Sequence, residues 1–252
     1  SAMLWHKDFD KGMKSLGFQC HQTADLCAYS RTSHNGKCII IVAVHVDDCI
    51  ISCTKGHNLA NQFRDEISKK FELSSYGPLD YLLGVRCETI TGPTGKYLST
   101  NQTGDIEALM RRFHKDVLPS KKSPATPLSK SERFTREQMP TTDEQKQAML
   151  KTPFRPLIGS LLFLARNRVD IAASVGILSS FNSNPGPIHF KAGRRILTYL
   201  YGTKTLGFCY GANKEHYRAQ EHDNCISASV DADFAGALIC GKSRTGYVVC
   251  MY

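Results

Sequence analysis

The sequence holds a single tryptophan, no Cys-x-x-Cys pair and no Cys/His group at a zinc-ligand spacing, although ten cysteines are scattered along it. That argues against a structural zinc site or a paired-thiol redox motif. Several cysteines, Cys38, Cys49, Cys209 and Cys250 among them, sit inside apolar runs, where the reduced, buried thiols of an intracellular protein belong. No apolar run approaches bilayer length and no secretory pattern opens the chain, so the expected setting is cytoplasmic or nuclear, with no membrane. Acidic residues are also in deficit: 23 Asp and Glu against 32 Lys and Arg leave a formal charge of +9. That balance suits a polyanionic partner, but basic proteins that bind no nucleic acid are common, so it serves only as support. With 252 residues, 41% of them hydrophobic, the chain can bury a substantial core in one or two domains.

What is present centres on the run from Cys38 to Cys53, where two β-branched apolar stretches flank Asp47 and Asp48. This is how a buried hairpin reads when its tight turn carries charge. Adjacent carboxylates raise each other's pKa unless a cation holds them, and hard oxygen ligands favour magnesium or manganese. Such ions take one or two protein carboxylates plus substrate phosphates, which suggests phosphoryl transfer. On the pattern alone, an exposed acidic turn reads equally well.

Along the chain, Trp5, Phe9, Met13 and Leu16 form one apolar stripe of a helix that Gly17 ends. A strand is expected around Ala28–Ser30, then the turn-rich Ser33-His34-Asn35-Gly36 and the acidic hairpin. His57 to Phe71 reads as an amphipathic helix, and Thr91-Gly92-Pro93-Thr94-Gly95 as a hairpin turn. Thr103 to Asp116 reads as a helix with Ile106, Leu109, Met110 and Phe113 inward and Arg111, Arg112, His114 and Lys115 outward. Pro119 to Pro156 has the least apolar periodicity and reads as a mobile connection. Leu157–Ala165 and Ile171–Phe181 form a pair of apolar helices, and Ile188–Tyr201 a third with Lys191, Arg194 and Arg195 on one side. Ile226–Val230 and Thr245–Met251 read as strands, with Asp231 just beyond the first.

The words around the acidic turn resemble those of Ty1/copia-type retrotransposon reverse transcriptases. Val46-Asp47-Asp48 is similar to the aromatic-x-Asp-Asp hairpin of that family, with His45 where tyrosine usually stands. Leu4-Trp5, Ser15-Leu16-Gly17-Phe18 and Asp25-Leu26-Cys27-Ala28-Tyr29 resemble the preceding copia segment, and Tyr76 to Val85 the following one. Tyr97-Leu98-Ser99-Thr100-Asn101-Gln102, Leu157 to Ala165, Arg168-Val169-Asp170-Ile171-Ala172 and Arg195 to Thr203 continue the match in order. Val230-Asp231-Ala232-Asp233-Phe234-Ala235-Gly236 resembles the opening of the family's ribonuclease H domain.

The resemblance implies an α+β architecture: a partial palm with the Asp-Asp hairpin and a primer-grip-like hairpin (4–90), a thumb-like region and linker (91–150), a helical connection region (151–225), and the first hairpin of a ribonuclease H-like fold (226–252). It implies Asp47 and Asp48 as metal-binding acids of a polymerase site and Asp231 as the first acid of a ribonuclease H-like site, each incomplete. It also implies nucleic-acid contact through His45, through Leu83 and Gly84, and through Arg111, Arg112, Lys115, Lys121 and Lys122. A hairpin glycine and a solvated basic loop are the plainer readings of the last two groups. Two functions follow. One is an RNA-directed DNA polymerase segment, expected to be inactive alone because the family's upstream aspartate and fingers have no counterpart, and using Mg2+ or Mn2+ if activity is retained. The other is a domesticated, non-catalytic protein binding a nucleic-acid duplex or a protein. The terminal hairpin is expected to pack on the helical block or to exchange with a second copy, forming a homodimer.

Overall fold

The computed structural model describes residues 2–251 apart from 22, 24, 33–35, 55–57, 75–76, 93–94, 115–122, 130, 212–225, 234–235 and 237–240. The chain divides into two compact units, Ser1–Leu82 and Leu83–Tyr252.

The first unit opens with α1 (Ala2–Ser15), where Phe9 and Met13 are buried and Trp5 stacks on Phe9 with ring centroids 5.2 Å apart. Gly12 lets this helix approach closely, since a Cβ there would lie 2.7 Å from the Phe71 ring. Gly17, at φ 80°, ends it in the left-handed conformation usual just past a helix. Four strands follow in an antiparallel meander: β1 (Gln19–His21), β2 (Asp25–Thr32), β3 (Ile39–His45) and β4 (Asp48–Cys53). The helix α2 (Leu59–Ile67) and the short strand β5 (Tyr81–Leu82) complete the unit. Tyr29, Ile40, Val42 and Val44 point from the sheet into one cluster with Phe9, Met13, Phe63 and Ile67. The unbroken apolar run of β3 implies burial on both faces, but the strand alternates: Ile39 and Ile41 stay 42% and 47% exposed on its outer face. One face is covered by helices, and the period of two shows which.

The second unit holds the antiparallel strands β6 (Val85–Gly92), β7 (Gly95–Asn101) and, later in the chain, β8 (Cys209–Tyr210). Its helices are α3 (Thr103–Phe113), α4 (Asp143–Leu150), α5 (Phe154–Leu164), α6 (Ala172–Ser179) and α7 (Pro187–Gly202). Ile106, Met110 and Phe113 of α3 join Leu157, Ile158 and Leu161 of α5 and Ile196, Leu197 and Leu200 of α7 in one core. Gly193 permits the α5–α7 approach, because a Cβ there would meet Leu157 at 2.9 Å. Phe134, Met149 and the turn Arg136–Gln138 give the expected mobile connection regular, partly buried structure. Its signal in the sequence is the capping box Thr142-x-x-Gln145, which starts α4. The expected turn at Ser33–Asn35 lies outside the described residues, as do Pro93 and Thr94, whose flanking Gly92 and Gly95 pair across β6 and β7.

Between α5 and α6, Arg168 is only 2% exposed in its side chain. Its guanidinium donates to Asp170 at 3.0 and 2.7 Å and to the Thr203 carbonyl and hydroxyl at 2.8 and 2.7 Å. The Tyr199 hydroxyl also donates to Asp170, at 2.7 Å. A buried charge with its donors occupied holds geometry, and here it ties the loop after α5 to the end of α7. Last come β9 (Ile226–Ala232) and β10 (Thr245–Met251), an antiparallel pair with Ile226, Val230, Tyr247, Val248 and Val249 exposed. Among the described residues no helix is long and apolar enough to cross a membrane.

Candidate metal and nucleic-acid site

The β3–β4 hairpin closes with His45 opposite Asp48, leaving Val46 and Asp47 as a two-residue turn. Asp47 thus occupies the turn and Asp48 opens β4. Val46 has φ 59° and is 68% exposed, a left-handed conformation that a β-branched residue rarely adopts. Burial of Val44, Val42 and Ile40 on the inner face fixes the register and so holds the three polar side chains, His45, Asp47 and Asp48, at the exposed tip. The field of the acids is felt next door: desolvation first, then the charges of Asp48 and Asp47, push the Cys49 thiol up to about 11.

Asp47 and Asp48 offer hard oxygen ligands, the right kind for a magnesium or manganese ion that keeps waters and substrate phosphates in its remaining positions. Among the described residues no group of three or more His, Cys, Asp or Glu gathers to hold a metal. The two carboxylates match such an ion in donor chemistry.

Leu83 and Gly84 form a tight turn with φ 50° and 82°. The space a Cβ at Gly84 would need is filled by Phe163, whose ring lies 2.7 Å away, so on that side the missing side chain serves packing. Arg111 and Arg112 are exposed in the last turn of α3, with the Arg112 guanidinium 5.0 Å from the Phe113 ring centroid. Lys115, Lys121 and Lys122 lie outside the described residues. Asp231 is exposed within β9, opposite Gly246, rather than beyond the strand.

His114 departs from its outward assignment. Its Nε2 lies 3.0 Å from the Arg194 carbonyl and its Nδ1 3.3 Å from Arg194 Nη2, so it folds back onto α7. Burial, and then the charge of Arg194, lower its pKa against the opposing hydrogen bond. With Pro187, Phe190, Lys191, Arg194 and Arg195 it lines a shallow pocket of about 260 Å³. Sequence spacing places three of these cations on one side of the helix but gives no sign that His114, about eighty positions earlier, meets them.

Residues 1–106 match the reverse transcriptase (RNA-dependent DNA polymerase) family. Over 246 residues the chain is 33% identical to the retrovirus-related Pol polyprotein from transposon TNT 1-94 of Nicotiana tabacum, covering 97% of this chain and 17% of that protein. These likenesses support a copia-type retrotransposon reverse transcriptase segment. The chain is also 25% identical over 221 residues to the putative transposon Ty5-1 protein of Saccharomyces cerevisiae, covering 85% of the chain and 65% of that protein. It is 29% identical over 245 residues to the Pol polyprotein from transposon RE1 of Arabidopsis thaliana, covering 97% of the chain and 15% of that protein. It spans less than two thirds of each of these relatives. No solved structure matches it.

Proposed function

We propose that this segment supplies the Asp-Asp hairpin of a two-metal polymerase site, together with a basic surface that grips a primer–template duplex. The observation that carries the reading is the position of Asp47 and Asp48 at the exposed tip of a hairpin whose other face is buried, inside the stretch that matches the family. Asp47 and Asp48 would hold the Mg2+ or Mn2+, whose chemistry is charge neutralisation and Lewis-acid polarisation at a phosphoryl group. His45 stands directly opposite Asp48, and its planar ring would support a primer end. The turn at Leu83 and Gly84 is the primer-grip-like element. Arg111 and Arg112, followed by Lys115, Lys121 and Lys122, contact backbone phosphates, which require only positive charge and reach. Asp231 is the first acid of a ribonuclease H-like site.

Two-metal chemistry draws carboxylates from more than one strand, and the tip brings two adjacent ones. The hairpin therefore reads as a half-site that works once a further carboxylate joins it, and the chain by itself is expected not to extend a primer. The test is extension of oligo(dT)-primed poly(rA) with magnesium or manganese. The chain alone is expected to give background. Exchanged for the corresponding segment of the tobacco Pol polyprotein, it is expected to support extension, and Asp47→Asn or Asp48→Asn in that chimera to cost a hundredfold or more, about the loss seen on removing a key electrostatic group. Extension at wild-type rate by the aspartate variants would sink the assignment.

A further inference from the structure

We infer that His114, Lys191, Arg194 and Arg195 form a binding pocket for one phosphodiester of a nucleic-acid backbone, with His114 as the residue that positions the Arg194 guanidinium. This rests on the duplex-gripping role proposed above and assigns part of it to a defined place.

The pocket forms because α3 packs along α7 through Ile106, Met110 and Phe113, which leaves the residue capping α3, His114, against the side of α7. Three permanent cations then line it with no acid among the lining residues. Lys191 lies three and four positions before Arg194 and Arg195, so their charges repel one another along the helix. None of the three is ion-paired among the described residues. Among the described residues, the enclosed Nε–H groups of Arg194 and Arg195 meet no acceptor. An oxygen-rich anion held in the pocket relieves that repulsion.

His114 gives the pocket a fixed geometry. Its Nε2–H donates to the Arg194 carbonyl at 3.0 Å, so its Nδ1 is the bare nitrogen and accepts from Arg194 Nη2 at 3.3 Å. The Thr198 hydroxyl also donates to the Arg194 carbonyl, at 3.0 Å, and steadies the same turn. Arg195 is held by a bond from Nη2 to the Thr126 carbonyl at 3.3 Å. Pro187 and Phe190 complete the wall with apolar surface, which suits the sugar edge attached to a phosphate and gives a sulfate-like free ion nothing to bind.

The experiment has two arms on the 252-residue chain. In the first, the His114 ring resonances are followed by NMR while inorganic phosphate or a dinucleoside phosphodiester is added; the phosphodiester is expected to shift them at lower concentration. In the second, binding to a labelled RNA–DNA hybrid is measured across a salt series. Arg194→Gln and Arg195→Gln are each expected to weaken binding about tenfold and flatten the log–log salt slope by about one. His114→Leu is expected to weaken binding similarly, and His114→Asn, which keeps an acceptor, to restore most of it; circular dichroism checks that each variant is folded. Unchanged slopes in both arginine variants, with hybrid binding still lost on Arg111→Gln/Arg112→Gln, would overturn the pocket and leave the polymerase reading standing. Absence of hybrid binding by the unmodified chain would overturn that reading instead, and a His114 response to phosphate alone would then make the phosphodiester assignment wrong.

Discussion

Val46 holds the acidic tip at φ 59°, a conformation that costs a β-branched residue about 1–3 kcal/mol where glycine adopts it freely. Val46→Gly is expected to raise the stability of the chain by about 1 kcal/mol, after the larger loss of backbone freedom by glycine is offset. An unchanged or lowered urea midpoint would show that the tip is relaxed. His189 carries a second residue-scale expectation. Its ring is fully buried, stacks on Phe181 at 3.8 Å and accepts a hydrogen bond from the Gly186 N–H at 2.8 Å through Nδ1. Burial lowers its pKa from 6.5 to about 4. The unfolded chain therefore binds the proton more readily between those values, so the stabilising effect of neutral His189 is full above about pH 6.5 and is lost as the pH falls toward 4. The expected loss is up to roughly 3 kcal/mol, and His189→Gln should flatten it in urea titrations at about pH 7 and about pH 4.5. Neither residue was legible in these terms: Val46 was one letter of a motif, and His189 one position in a helix. A positive φ and the seating of a ring against Phe181 are set by the register of the hairpin and by the approach of α7, which local sequence does not encode.

At the scale of elements, the stripe of α1 and the helices α3 and α7 were readable because each has an apolar period that its burial follows, and the β-branched runs around Asp47 and Asp48 and the helices α5 and α6 because each is an apolar run. What periodicity could not give was the sidedness of β3, since Ile39 to Val44 is apolar at every position. Packing of α1 and α2 on one face decides it. Ile40→Ala should therefore cost about 2–5 kcal/mol, while Ile41→Ala, on the open face, should stay within about 0.5. Equal losses in chemical denaturation would mean that both faces are covered. The word Arg168-Val169-Asp170 was legible only as part of a resemblance; its role as a buried ion pair appears once the end of α7 brings Thr203 and Tyr199 to it. Burial raises the Asp170 carboxyl, but the hydrogen bonds from Arg168 and Tyr199 and the charge of Arg168 outweigh it and hold the pKa below its usual value. Asp170→Asn leaves Arg168 enclosed without its counter-charge, a change expected to cost about 3 kcal/mol or more, readable as a lowered thermal midpoint.

For the whole molecule, the two compact units have separate cores that share no residue: Phe9, Tyr29, Val42 and Phe63 in the first, and Ile106, Leu157, Leu161 and Ile196 in the second. Each core is built from helices packed on one another or on one face of a sheet, which is the requirement for a unit that folds by itself. The acids of the hairpin tip lie in the first unit, whereas Arg111, Arg112 and the His114–Arg195 pocket lie in the second. The proposed duplex grip and the proposed metal half-site are thus expected to separate physically. Residues 83–252 expressed alone should keep a cooperative thermal transition and the steep salt dependence of hybrid binding, while Asp47→Asn/Asp48→Asn in the full chain leaves that slope unchanged. A second segment that unfolds without the first, or that loses its hybrid affinity when residues 1–82 are removed, would show that the proposed phosphate grip depends on the first unit, and the division of labour drawn from the two cores would fail.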